Sequence, residues 1–82
     1  MGGAAHPTDE AISAALINFA LERSPKTFCP SEVARQLADD WRPLMPDVRR
    51  VASGLSEVQA TQKGEPVSPK DARGPIRLGL RS

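Results

Sequence analysis

The chain has 82 residues, of which 39% are hydrophobic, 26% are charged and 4% are aromatic, and its formal net charge is +1. This length and composition predict one small globular domain and exclude a disordered or fibrous chain. No apolar run approaches the roughly 20 residues of a membrane-spanning helix, and the N-terminal MGGAAHPTDE lacks the basic and apolar regions of a secretory signal. The single cysteine cannot form an internal disulfide, so we expect a cytoplasmic protein.

Charge is divided unevenly along the chain. Residues 1–41 carry three bases and six acids, a net charge of −3, whereas residues 42–82 carry eight bases and four acids, a net charge of +4. A basic C-terminal half is typical of proteins with a polyanionic partner. A solvated surface of mixed charge explains the same counts equally well, and both interpretations stay open.

The first helix is predicted to follow a disordered leader, residues 1–8, so that the folded domain covers residues 9–82. Thr8 is a suitable N-cap for this helix. An apolar face with the helical period follows, formed by Ile12, Leu16, Phe19 and Ala20. We expect the helix to end near Ser24, because Pro25 disfavours helical geometry in the residue before it.

A stub of strand and a second helix come next. Thr27-Phe28 is short, apolar and β-prone, and its backbone is suited to pairing with a strand. Pro30 fits the first position of a helix, where its missing N–H is not needed. Asp39-Asp40 are unfavourable at the negative end of the helix dipole, so the second helix is expected to stop there.

Trp41-Arg42-Pro43 is predicted to be the turn that leads into a third helix. Pro46 must lie in the first turn of that helix, or it would break the hydrogen-bond ladder. Gly54 costs about 1 kcal/mol relative to Ala inside a helix, so we expect a weak C-terminal end. The apolar stripe of the third helix consists of Leu44, Met45, Val48, Val51, Ala52 and Leu55.

The remaining residues change to the period of a strand. Val58 and Ala60 alternate with polar residues and predict a strand. A turn is expected at Lys63-Gly64-Glu65-Pro66, and residues 65–75, with three prolines and a glycine, are expected to form a loop. A final strand is predicted from the alternation of Ile76, Leu78 and Leu80 with Arg77, Gly79 and Arg81.

This order of elements predicts an α+β fold of the winged helix-turn-helix type, with three helices and a small β-hairpin wing. Pro30, Pro43 and Pro46 mark the boundaries of the helix-turn-helix. The expected core consists of Leu16, Phe19, Val33, Leu37, Val48, Val51, Leu55, Ile76 and Leu78.

Four segments, CPSEVAR, WRPLMPDVR, TQKGEPV and RGPIRL, together resemble a family of small bacterial proteins known only as a domain of unknown function. The resemblance covers residues 9–81 and implies a winged-helix fold. It implies no activity, cofactor or catalytic residue. The relatives have a longer turn between the third helix and the next strand, whereas GLSEVQATQKG is compressed here, so both boundaries stay open.

In a helix-turn-helix the second helix of the motif enters the DNA major groove, and here that is the third helix. With the apolar stripe inward, Arg50 and Ser53 point outward and Arg49 lies on the flank. Arginine can bond guanine or phosphate, and serine can reach either. The alternative is a solvated face with local ion pairs, which the nearby Asp47 and Glu57 favour.

The predicted wing carries the second group of bases. Lys63 is expected at its tip, and Lys70 and Arg73 lie in the loop that follows. Such a group can track a phosphate backbone. Arg77 and Arg81 on the last strand are interpreted as edge protection. The predicted nucleic-acid contacts are therefore Arg42, Arg49, Arg50, Ser53, Lys63, Lys70 and Arg73.

Catalysis and metal binding find little support in the sequence. Cys29 is interpreted as structural, and a redox role at a helix N-terminus stays open. With His6 as the only histidine, the chain has two Cys or His residues, whereas a structural zinc needs about four. We therefore expect a non-enzymatic protein without a cofactor or metal. DNA is the first candidate partner, a protein is the alternative, and no membrane partner is expected.

Overall fold

A computed structural model describes residues 7–81, so most of the predicted leader lies outside the described residues. Within this range the chain folds into three α-helices and a three-stranded antiparallel sheet, in which the second and third strands along the chain flank the first. The predicted α+β class is confirmed. The elements are α1 (Asp9–Arg23), α2 (Pro30–Leu37), a 3₁₀ turn (Arg42–Leu44), α3 (Met45–Ser53), β1 (Val58–Gln62), β2 (Glu65–Val67) and β3 (Arg77–Leu80).

The first two helices begin and end close to the predicted residues. The Oγ1 atom of Thr8 accepts a hydrogen bond from the N–H of Ala11 at 3.1 Å, which confirms the predicted N-cap of α1. α1 ends immediately before Ser24. At the start of α2, the Glu32 carboxylate accepts the N–H of Cys29 at 3.0 Å, which satisfies a donor that the helix itself leaves free. None of the helices within residues 7–81 is both long and apolar enough to cross a membrane.

The third helix is shorter than its apolar stripe. Leu44 belongs to the 3₁₀ turn, and α3 begins at Met45 with Pro46 in its first turn, as expected. The helix ends before Gly54, whose N–H bonds to the Val51 carbonyl at 3.0 Å. This i to i−3 bond is a tightened final turn. A connection of residues 54–57 then leads directly into β1.

The prediction of a loop over residues 65–75 is wrong in its first three residues. Lys63 and Gly64 have φ angles of 54° and 84°, so they form a two-residue hairpin turn with positive φ at both positions. This turn reverses the chain, and Glu65–Val67 pairs with β1 in an antiparallel register. Pro66 is tolerated because β2 lies at the edge of the sheet.

A backbone bridge joins the connection between α1 and α2 to the sheet. The N–H of Phe28 donates to the Leu78 carbonyl, and the N–H of Leu78 donates to the Phe28 carbonyl, both at 2.7 Å. The predicted stub of strand is therefore confirmed as a single bridge. The Phe28 ring is fully buried and lies 5.3 Å from the ring of Phe19, centroid to centroid.

One core unites the helices with the sheet. Seven of the nine predicted core residues are buried, while Leu37 and Leu55 are partly buried and pack against the cluster. The expected core omitted several large side chains that are nearly or fully buried, namely Ile12, Phe28, Leu44 and Val58. Phe28 lies in the connection between α1 and α2, where a periodic pattern gives no inward direction.

Replacing Phe28 with alanine should destabilise the chain by about 3–5 kcal/mol, because a fully buried ring leaves a cavity. Urea unfolding followed by circular dichroism measures the change. Leu21→Ala is the matched control, since the Leu21 side chain is 59% exposed and should change stability by less than about 0.5 kcal/mol. Equal losses in the two variants would show that this core assignment is incorrect.

Candidate nucleic-acid interface

The outward face of α3 carries an ion pair with α1. The guanidinium of Arg50 binds Asp9 through two hydrogen bonds, Nη1 to Oδ2 at 2.9 Å and Nη2 to Oδ1 at 2.8 Å. Its Nη2 atom also lies 3.3 Å from Oδ1 of Asp47. The hydrogen bond from Arg50 lowers the pKa of the Asp9 carboxyl below its ordinary value. Two carboxylates therefore offset the positive charge of Arg50.

Arg49 connects α3 to the segment between β2 and β3. Its Nη1 donates to the carbonyl of Ala72 at 2.8 Å, and its Nη2 donates to the carbonyl of Gly74 at 2.6 Å. The Oγ of Ser53 donates to the backbone carbonyl of Arg50 at 2.8 Å. All three predicted contacts on α3 thus bind groups of the chain itself.

We use the term wing for residues 63–76, which connect β1 to β3 and include β2. Lys63 lies exposed in the hairpin turn, and Lys70 and Arg73 are exposed between β2 and β3. Their side chains make no hydrogen bond or ion pair within residues 7–81. Glu65 and Asp71 are exposed on the same segment, so the wing has three bases and two acids.

Gln62, which the sequence analysis did not single out, fixes the wing from the sheet side. Its Nε2 atom donates to the carbonyl of Arg73 and, at 3.2 Å, to the carbonyl of Pro75. Since both acceptors are carbonyls, the amide nitrogen must face them. The only signal in the sequence was a polar residue immediately before the turn, which is too common to suggest this role.

The seventh predicted contact, Arg42, stacks on an aromatic ring. The guanidinium carbons of Arg35 and Arg42 lie 4.7 Å and 4.8 Å from the centroid of the Trp41 ring. Cation–π contacts of this kind orient an arginine and leave its N–H groups accessible. Arg42 is exposed, and Trp41 packs partly against the core. Arg42 therefore stays a predicted contact, but it lies outside the wing.

Arg77 and Cys29 meet at the start of α2. The Nη1 atom of Arg77 donates to Sγ of the half-buried Cys29 at 3.0 Å, and its Nε and Nη2 atoms bind the hydroxyl and carbonyl of Thr27. This arginine therefore braces the α1–α2 connection against β3.

The described residues hold no cluster of three potential metal ligands.

An open cleft of about 270 Å³ lies between the end of α3 and the strands β1 and β2. Arg81 is the one charged residue among the described residues that line it, and its Nε already donates to the carbonyl of Ser56 at 2.8 Å. The other lining side chains are apolar or neutral, including Ala52, Val67 and Gln59. No carboxylate, histidine or cysteine lies among the described residues that line the cleft.

The chain belongs to the family described as Protein of unknown function (DUF3253), whose model matches residues 9–81. This confirms the resemblance to a family of unknown function. No curated protein matches the chain. The family description names neither an activity nor a fold.

Acid should destabilise the chain through Glu32 and Asp9. The backbone N–H of Cys29, followed by Arg23, lowers the pKa of the Glu32 carboxyl. A carboxyl with a lowered folded-state pKa contributes stability above its unfolded pKa and loses that contribution as the pH falls through the folded value. Stability should therefore decline as the pH falls below the ordinary values of 4.5 for Glu32 and 3.8 for Asp9.

Glu32→Gln should be less stable than the unmodified chain at neutral pH and should lose less stability between about pH 5 and pH 3. Urea unfolding at a series of pH values measures both effects. Glu22→Gln, a change at an exposed glutamate on α1, is the control and should keep the acid dependence of the unmodified chain. An unchanged acid dependence in Glu32→Gln contradicts the assignment.

Proposed function

We propose that this family member is a non-enzymatic winged-helix module that binds the phosphate backbone of duplex DNA through its wing. The proposal rests on one difference between α3 and the wing: the basic side chains of α3 are bound within the chain, and those of the wing are not. Arg49 and Arg50 of α3 bind groups of the chain itself, whereas Lys63, Lys70 and Arg73 have no partner among the described residues. The wing is therefore the element with positive charge available to a polyanion.

The winged-helix interpretation rests on the order and pairing of the elements. α2 and α3 follow each other across a short turn, and the hairpin of β1 and β2 comes directly after α3. β3 then returns beside β1 and also bridges to Phe28 ahead of α2. This order is typical of a helix-turn-helix followed by a β wing.

Base readout by α3 is disfavoured by the Arg50–Asp9 pair. An ion pair this exposed contributes little to stability, so Arg50 itself could be released at small cost. Releasing it would leave the carboxylates of Asp9 and Asp47 without this arginine on the face that must approach phosphate. Like charges there would oppose docking. Arg49 would in addition have to give up both hydrogen bonds that hold the wing.

Binding by the wing alone predicts weak affinity and a modest salt dependence. Three cations neutralise at most three phosphates, which corresponds to a slope of log K against log salt near −3. The expected dissociation constant for such non-specific binding is about 10⁻⁴–10⁻⁶ M at physiological salt.

The proposed compartment is the cytoplasm, where the unpaired thiol of Cys29 would stay reduced.

A protein-binding module is the second candidate. It is favoured by the outward face of α1, where Leu21 is 59% exposed and Ala14 lies seven residues earlier on the same side. The neutralised face of α3 also suits a protein surface better than DNA. This candidate predicts no binding to nucleic acid.

The test is a salt titration of a short DNA duplex with the full chain and its variants. Combining Lys63→Ala, Lys70→Ala and Arg73→Ala should flatten the slope by roughly three units, because each lost phosphate contact reduces it by about one. Asp9→Asn combined with Arg50→Gln removes the α3 pair without changing the net charge, and it should leave the slope unchanged.

Lys26→Ala combined with Arg35→Ala serves as a control for charge removed outside the wing, and its slope should stay close to that of the unmodified chain. If the α3 double variant loses affinity and the wing variant does not, DNA is bound by α3 and the proposal fails. If neither duplex nor single-stranded DNA binds at low salt, DNA binding fails altogether and the protein-binding candidate replaces it.

A further inference from the structure

Four consecutive backbone carbonyls of the wing are engaged from within the molecule. Arg49 holds the first and third of them through its two terminal nitrogens, at 2.8 Å and 2.6 Å. Gln62 holds the second and fourth through its amide nitrogen. The acceptors are the carbonyl oxygens of Ala72, Arg73, Gly74 and Pro75.

Within residues 72–75, the N–H of Ala72 donates to the carbonyl of Ser68 at 2.9 Å, whereas the N–H groups of Arg73 and Gly74 have no partner among the described residues. In a trans peptide the N–H points opposite to the C=O of the same unit. The N–H of Arg73 is therefore directed away from Arg49, and the N–H of Gly74 is directed away from Gln62. Both residues are exposed, and neither N–H has an acceptor within residues 7–81. The Arg73 guanidinium is likewise without a partner there.

Gly74 is suited to this conformation. Its φ angle of 81° lies in the left-handed region, which favours glycine because a Cβ atom would be strained there. Pro75 follows Gly74, and its ring fixes its own φ angle without adding an N–H. The loop therefore keeps one shape in which its four carbonyls are occupied and the N–H groups of Arg73 and Gly74 are accessible.

We infer that residues 72–75 form a phosphate-binding loop, in which the N–H groups of Arg73 and Gly74 and the side chains of Arg73 and Lys70 bind one phosphate group. Exposed backbone N–H groups beside cationic side chains are the usual means of holding a tetrahedral oxyanion. Arg49 and Gln62 are positioning residues that turn the carbonyls away from the anion. As a contact to DNA, the loop rests on the proposed function, whereas its affinity for free phosphate does not.

The loop also contains a group that opposes anion binding. Asp71 is exposed between Lys70 and Arg73, and its N–H donates to the carbonyl of Ser68 at 3.1 Å. Its carboxylate repels a phosphate held nearby. Asp71→Asn should therefore tighten phosphate binding by about two- to fivefold, equivalent to less than the 1.4 kcal/mol of a tenfold change.

The ¹⁵N-labelled full chain is titrated with inorganic phosphate, which replaces chloride so that the ionic strength stays constant. A second titration uses a short DNA duplex. The expected result is that the amide resonances of Arg73 and Gly74 shift most in both titrations. Free phosphate tests the loop by itself, and the duplex tests whether a phosphodiester uses the same groups.

Gln62→Met separates positioning from charge, because it removes the donor to two carbonyls and keeps the net charge and approximate size. It should weaken phosphate binding by roughly five- to tenfold. Gln59→Met is the matched control on the same strand, where Gln59 makes no hydrogen bond through its side chain within the described residues, and it should leave the affinity unchanged. Amide resonances outside the wing report whether each variant keeps its fold.

Equal affinities of Gln62→Met and Gln59→Met overturn the positioning role. Unmoved Arg73 and Gly74 amides in both titrations overturn the loop itself. If DNA binds while these amides stay unmoved, the loop fails and the proposed function stands. If the amides move with phosphate but no DNA binds, the loop is supported and the proposed function fails.

Discussion

Two hydrogen bonds from Arg49 join the wing to α3, and the arrangement of the candidate interface depends on them. Without them, the residues after β2 would keep the hydrogen bonds from Gln62 and the packing of Ala72 and Ile76 against the core. A guanidinium matches two carbonyls two residues apart, and a charge-assisted hydrogen bond contributes about 1.5–3 kcal/mol. The same contact that orders the wing removes Arg49 from the set of side chains available to a ligand, so order in the wing and readout by Arg49 exclude each other.

Local rules predicted most of the fold. The limits of α1 and α2 follow from Thr8, Pro25 and Pro30, whose effects act within a few residues. The alternation of apolar and other residues located β1 and β3, because this pattern also involves only near neighbours in the sequence. β2 was missed because Pro66 suggests a loop, and a proline at a sheet edge is distinguishable from one in a loop only when the neighbouring strand is known. The burial of Phe28 depended on Leu78, fifty positions away in the sequence, and no local pattern reports such a pairing.

The candidate site was harder to predict than the fold. Helical periodicity correctly separated Arg50 from the inward stripe of α3, but it carried no information about Asp9, which lies 41 residues earlier and binds it. The partners of Arg49 are backbone carbonyls, and a carbonyl has no residue-type signature. The bases of the wing were found from the sequence, and their side chains have no partner within residues 7–81. Sequence reasoning therefore found the cations, and only the three-dimensional contacts show which of them are already engaged.

The most direct test of the account is the salt dependence of duplex binding by the unmodified chain. If binding depends on Lys63, Lys70 and Arg73 alone, log K should fall with log salt with a slope between about −2 and −3, since each neutralised phosphate contributes about −0.9. A slope near −5 would require at least two further cations outside the wing, and it would contradict the account in which the wing alone binds DNA. Absence of any binding at low salt would contradict it equally.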